Sequence, residues 1–131
     1  HTYERNCVVY TATHDNDTTR GWYAATGPDY AHHDRQPIAR ERDKARRYLA
    51  RDGGGIAIDL IRLALASVAD LAIFPMQDVL GLENDARLNR PGIPEGQWRW
   101  RMSAEQFARA PGGYLREMAE LYGRLPPPPA A

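Results

Sequence analysis

Apolar and polar positions along this chain alternate between two rhythms. Residues 6–12 are a short run rich in Val and Tyr and read as a strand. It stops abruptly at a polar and acidic cluster, Thr13-His14-Asp15-Asn16-Asp17-Thr18-Thr19, which reads as a loop. Residues 21–37 are mixed, with Gly27-Pro28 as a turn signal. Strong helix formers dominate residues 38–51, and Ala45, Tyr48 and Leu49 fall at helical spacing. Asp52-Gly53-Gly54-Gly55 stops that helix. Residues 56–68 form a more apolar helix: Ile56, Leu60, Leu63 and Ala64 make one face, widened by Ile61 and Leu65. A second short strand, Leu71-Ala72-Ile73-Phe74, is closed by Pro75. Its unbroken apolar run predicts burial on both faces, as in a parallel sheet. Residues 77–82 form a tight turn or short helix, and 84–100 are irregular. Ser103 and Gln106 have the spacing of a capping box and open a short helix over 103–109. A last helix covers 113–125, with Leu115, Met118, Ala119 and Tyr122 on one face, and the prolines at 126–129 extend beyond it.

Strand, helices, strand, helices is the order of a βαβ unit with parallel strands. Two strands leave sheet edges and faces uncovered, so a slice of a larger sheet or barrel is expected. Polar residues stand just past the C-terminal end of both strands: His14-Asp15-Asn16 after the first, Gln77-Asp78 after the second. In β/α barrels that face carries the active site.

Composition narrows the partners. The 131 residues include 17 basic and 17 acidic side chains. A phosphate-backbone partner calls for clustered excess positive charge, so nucleic acid is not expected. No run approaches the roughly 20 apolar residues of a membrane span, and no leader of the secretory kind opens the chain. Cys7 is the only cysteine, which excludes an internal disulfide framework and fits a reducing, cytoplasmic setting. The chain begins with His1 rather than Met, and truncation is expected.

Several residues carry candidate chemistry, each beside a plainer reading. His14-Asp15 pairs an imidazole with a carboxylate, which suits sugar recognition or metal binding, and Asp and Asn after a strand also simply close loops. Asp17 and Thr18 read as structural members of such a loop. His32-His33-Asp34, together with His14-Asp15, suggests a metal-dependent His/Asp phosphohydrolase. Those sites place the His-Asp pair inside a helical bundle, whereas here it follows a strand. Trp98 and Trp100, interleaved with Glu95, Arg99 and Arg101, either stack on sugar rings, as in a non-catalytic carbohydrate-binding fragment, or anchor an irregular segment. Residues 40–51 form a solvated helix face, and Gly53-Gly54-Gly55 lacks the Lys and spacing of a phosphate loop.

Three blocks together resemble the 4-α-glucanotransferases called amylomaltases or disproportionating enzymes, glycoside hydrolase family 77. Tyr10-Thr11-Ala12-Thr13-His14-Asp15-Asn16-Asp17-Thr18 is similar to that family's Tyr-Thr-Gly-Thr-His-Asp-Asn-Asp-Thr. Pro75-Met76-Gln77-Asp78-Val79-Leu80-Gly81-Leu82 resembles the block after its last barrel strand. Asn89-Arg90-Pro91-Gly92-Ile93-Pro94-Glu95-Gly96-Gln97-Trp98-Arg99-Trp100-Arg101 resembles a third, long block. Ala12 stands where Gly is usual, Val79 for Leu, Ile93 for Thr and Gln97 for Asn; none of these removes a chemical group expected to react.

The resemblance implies an α/β fold, the C-terminal portion of a (β/α)8 barrel. Residues 1–125 would supply the last two strands and their helices, and 126–131 a proline-rich tail. It implies transfer of α-1,4-glucan segments between maltooligosaccharides with retention, by a carboxylate nucleophile and a separate acid/base. Asp15 matches the carboxylate that stabilises the transition state, His14 a histidine that hydrogen-bonds the same sugar, and Asn89 a position near the acceptor-side glucan sites. Gln77 and Asp78 would either orient the site floor or serve as scaffold. The family's Arg-Ile-Asp-His and Glu-Asp-Leu-Gly blocks, which carry the nucleophile and the acid/base, do not occur in this chain. The implied partners are the glucan and the N-terminal part of the same barrel; no cofactor or metal is implied.

Overall fold

The computed structural model of the chain describes residues 4–25 and 35–126, with side chains in the second segment from 38 onward. Two short strands, β1 (Val8–Tyr10) and β2 (Leu71–Ile73), pair in parallel, with Val8 opposite Leu71, Val9 opposite Ala72 and Tyr10 opposite Ile73. Between them lie α1 (Thr19–Ala24), α2 (Arg35–Leu49) and α3 (Ile56–Leu65). After β2 come α4 (Met76–Val79), a 3-10 turn (Asn84–Ala86), α5 (Ala104–Arg109) and α6 (Gly112–Leu121). The parallel βαβ order expected from the pattern is present.

The core lies on one face of the strand pair. α3 packs against β2, α1, α4 and α6. Ile61 and Leu65 of α3 meet Val79 of α4 and Met118 of α6, and Ala72, Phe74, Leu115 and Tyr122 close around them. The buried face of α3 is therefore centred on Ile61 and Leu65, and Leu63 is exposed. So apolar a helix offers several faces by periodicity, and the neighbours select one. α6 is strapped to α3 by polar contacts: the Arg62 guanidinium donates to the Tyr122 hydroxyl at 2.8 Å, and Arg124 donates to the free carbonyls of Leu65 at 2.6 Å and Ser67 at 2.8 Å. Such donors satisfy the carbonyls a helix leaves unpaired at its C-terminus. α6 itself stops short of residue 125, because Gly123 takes a left-handed φ of 66° and the Arg124 N–H bonds back to the Ala119 carbonyl at 2.7 Å.

The other face of the strands is open, as expected of two strands without the rest of a sheet, although the apolar run of β2 taken alone predicts burial on both faces. Val8 is 43% exposed, Tyr10 52%, Leu71 51% and Ile73 42%. Alternate residues of a strand point to opposite faces, so the helices cover Val9 and Ala72, while these four form an apolar patch with no layer over it among the described residues.

α1 falls where a loop and a mixed segment are expected. Its N-cap is Thr18, whose hydroxyl accepts from the Gly21 N–H at 3.0 Å. Gly21 is required by a close approach: a Cβ there would collide with the Asn84 side chain, whose carbonyl oxygen accepts from the Thr18 N–H at 3.2 Å. The capping box at Ser103 and Gln106 forms as expected. The helix expected at 38–51 starts earlier, at Arg35, and ends before the glycines, where Ala50 adopts a left-handed φ of 52°.

Candidate active site

The polar residues past β1 and β2 meet at one end of the strand pair. A buried carboxylate organises the floor: Asp78, at the start of α4, accepts from the Thr11 hydroxyl at 2.8 Å, the Thr19 N–H at 2.8 Å and the Thr19 hydroxyl at 2.8 Å. It thus ties the end of β1 to the first turn of α1. Gln77 is also buried and donates to the Ala86 carbonyl at 3.2 Å. Both side chains serve as scaffold under the loop above them.

That loop is closed by Asn16, whose side-chain oxygen accepts from the Thr13 N–H and the Thr13 hydroxyl, each at 2.8 Å. This is the local closure Asn provides at strand ends. It leaves His14 and Asp15 at the tip, both about half exposed, with His14 Nε2 3.4 Å from Asp15 Oδ1.

The segment at 87–98 forms the facing wall. The Asn89 amide donates to Asp15 Oδ1 at 2.6 Å, and the Asn89 N–H donates to the His14 carbonyl at 3.2 Å. His14, Asp15 and Asn89 are therefore in one place although 74 residues separate Asn89 from Asp15. Trp98 joins them: its ring centroid stands 5.0 Å from that of His14, tilted by 39°. Trp98 is half exposed and has a φ of 63°, a left-handed conformation uncommon for a bulky residue. Gln97 holds the intervening loop shut, accepting from the Arg90 N–H at 2.8 Å and donating to the Glu95 carbonyl at 2.9 Å. Trp100 is half-buried and its carbonyl accepts from Arg101 at 2.8 Å.

Under this surface lies an ion pair that the sequence reading does not find. Arg87 Nη1 pairs with Asp17 Oδ1; Nη2 donates to the Asp15 carbonyl at 2.9 Å, and Nε to the Asn89 carbonyl at 3.3 Å. The Asp17 side chain is only 4% exposed. Burial pushes the Asp17 carboxyl above its ordinary value; the Arg87 charge, the Asn84 side chain and the Arg90 charge pull it down without cancelling the effect. Asp17 Oδ2 has no donor in hydrogen-bond geometry among the described residues. A cavity of about 40 Å³ lies against His14, Asp17 and Arg87, large enough for a water. Asp17 and Thr18 are thus structural, as expected. Nothing in the local pattern around Arg87 distinguishes it from a surface arginine.

Among the described residues, no group of three His, Cys, Asp or Glu side chains is placed to hold a metal ion. His32, His33 and Asp34, which the metal reading needs, lie outside the described residues. No helix among the described residues is long and apolar enough to cross a membrane.

Residues 1–106 match the family model described as 4-alpha-glucanotransferase, glycoside hydrolase family 77. The chain belongs to the 4-alpha-glucanotransferase family. A 4-alpha-glucanotransferase of Synechocystis is 46% identical to it over 120 residues, covering 91% of this chain and 22% of that protein. A 4-alpha-glucanotransferase of Thermus thermophilus is 43% identical over 124 residues, covering 90% of this chain and 23% of that protein. Among solved structures, an amylomaltase from Streptococcus agalactiae in complex with acarbose matches with a TM-score of 0.76 at 29% identity, over 93% of this chain and 23% of that one. This 4-alpha-glucanotransferase family chain spans less than a quarter of the length of each of these relatives.

Proposed function

We propose that the chain forms one wall of a 4-α-glucanotransferase site in a cytoplasmic (β/α)8-barrel enzyme acting on maltooligosaccharides. In this reading residues 1–125 supply the last two strands and their helices, and 126–131 form a tail. The remainder of the barrel supplies the nucleophilic carboxylate and the acid/base, and covers the apolar patch of Val8, Tyr10, Leu71 and Ile73. The observation that carries the reading is the contact of the Asn89 amide with the Asp15 carboxylate beside His14, at the C-terminal end of paired parallel strands. Separate blocks of the sequence converge there.

The chemistry follows from these groups. In a retaining transfer the nucleophile attacks the anomeric carbon while the acid gives its proton to the departing glucan oxygen. An acceptor hydroxyl then displaces the nucleophile and gives its proton back to the same base. In both steps the sugar ring flattens toward an oxocarbenium ion. Asp15 accepts from ring hydroxyls, and charge-assisted bonds of this kind are the stronger ones. Contacts that tighten as the ring flattens lower the barrier rather than merely hold substrate. His14 and Asn89 hold sugar hydroxyls, and the Asn89 amide keeps the Asp15 carboxylate oriented. None of these roles calls for an organic cofactor or a metal.

The test is Asp15→Asn in the full-length protein that carries this chain, assayed by glucose release and chain redistribution from maltotriose. The expected result is a fall in kcat of at least about 100-fold, the scale of losing one preorganised electrostatic contact, with an unchanged melting temperature. Retention of more than about a tenth of the activity would contradict the role given to Asp15, since that loss is far below this scale.

A further inference from the structure

The ion pair under the site, with Asp17 buried and Arg87 partly so, does more than fasten two segments together. Each of the three guanidinium nitrogens of Arg87 serves a different residue: Asp17 through Nη1, the Asp15 carbonyl through Nη2, and the Asn89 carbonyl through Nε. A guanidinium is planar and its donors are fixed relative to one another. Residues held by all of its nitrogens are therefore held at fixed separations. Asp15 and Asn89, the residues whose carboxylate and amide meet at the surface, are among those held.

We propose that Arg87 is a positioning residue: seated on the Asp17 carboxylate, its guanidinium sets the spacing between the Asp15 and Asn89 backbones and so places the Asn89 amide on the Asp15 carboxylate. The inference rests on the glucanotransferase reading and deepens it. Stability alone gives a weak reason for such a pair. Buried ion pairs are often no more stabilising than apolar residues of the same volume. This one also leaves Asp17 Oδ2 without a donor among the described residues, and burial disfavours the Asp17 charge. What an apolar pair could not reproduce is the fork of donors onto the Asp15 and Asn89 carbonyls. Among the described residues, the only backbone hydrogen bond between these two segments runs from the Asn89 N–H to the His14 carbonyl. That bond fixes one backbone point, and the guanidinium fork adds two more, at the Asp15 and Asn89 carbonyls.

The experiment uses the full-length protein, with kcat and KM for maltotriose and the melting temperature measured on every variant. Arg87→Lys keeps the charge and loses the fork; kcat is expected to fall at least about tenfold, as misplacement of a reacting group does, while KM moves much less. Should that variant not fold, Asp17→Asn/Arg87→Met removes both charges of the pair together. It is expected to melt at or above the wild-type temperature and still to lack most of kcat. In Arg87→Ala, added guanidinium at millimolar concentration is expected to restore part of kcat and ammonium none. A double variant that folds and retains kcat within about threefold, below the effect expected of misplacement, would overturn the proposal, because the pair would then be structural only. Wild type and Asp15→Asn in the same assay separate the two levels. An active wild type with an inactive Asp15→Asn and an active double variant refutes the positioning role alone; an inactive wild type refutes the transferase reading and this inference with it.

Discussion

Asp17 differs from most paired carboxylates in the sign of its pH effect. Burial outweighs Arg87 and holds its carboxyl above the ordinary 3.8. Between 3.8 and that raised value the folded chain binds more protons at this site than the unfolded chain, so stability falls as pH rises through the window. The contribution is present below the window and lost above it. An ordinary salt-bridged Asp gives the reverse. Unfolding free energy of the full-length protein, followed across this acid range, is expected to show a slope from Asp17 that disappears in Asp17→Asn/Arg87→Met; an identical slope in both would contradict the assignment. At this scale the sequence singled out His14, Asp15 and Asn89 because they lie in recognisable blocks, and the structure brings the three together. The contacts of Arg87 were not legible, since they consist of distances to residues at 15, 17 and 89.

At the scale of elements, the periodic pattern located the helices and left their facing to the neighbours. The spacing put Ile56, Leu60, Leu63 and Ala64 on the apolar face of α3 with Ile61 and Leu65 at its margin; Ile56 and Ala64 are buried, but packing against Val79 and Met118 centres the face on Ile61 and Leu65 and leaves Leu63 exposed. Ile61→Ala is therefore expected to destabilise by about 2–5 kcal/mol, the range for opening a cavity in a packed core. Leu63→Ala is expected to cost well under half of that, and equal effects in chemical denaturation would contradict the described facing. α1 escaped the sequence reading because Gly21, Trp22 and Tyr23 are poor helix formers and the element is short. Its stability comes from the Thr18 cap, the Asp78 bonds to Thr19 and the fit against Asn84. The end of α2 holds a correctable strain: Ala50 sits in a left-handed conformation. Ala50→Gly is expected to raise stability by about 0.5–1 kcal/mol, since glycine adopts that conformation without steric penalty; a loss in the denaturation midpoint would refute it.

For the whole molecule, the decisive feature is the uncovered face of the strand pair. Val8, Tyr10, Leu71 and Ile73 form a contiguous apolar surface on a two-stranded sheet, and so small a sheet is marginal without further cover. The 131-residue chain produced alone is expected to bind an apolar-surface dye strongly and to melt broadly. A sharp, concentration-independent monomer melt with no dye binding would show that the face needs no further layer. The pairing direction was legible because a crossover of this length with helices favours parallel strands. That two strands leave a face uncovered was legible as well; which face lies open was not, because an apolar run reads the same on either side.

By itself the sequence determined the parallel βαβ order, the capping box at Ser103 and the family blocks that hold His14, Asp15 and Asn89. These depend on local spacing and residue type, which the chain carries with it. Tertiary structure alone decided that the Asn89 amide rests on Asp15, that Arg87 contacts both from below on a buried Asp17, that α3 turns Ile61 inward, and which face of the strands lies open. Each of these is a contact, or its absence, between segments tens of residues apart. Such contacts follow from packing the elements together in three dimensions, and the residues at either end carry no mark of it.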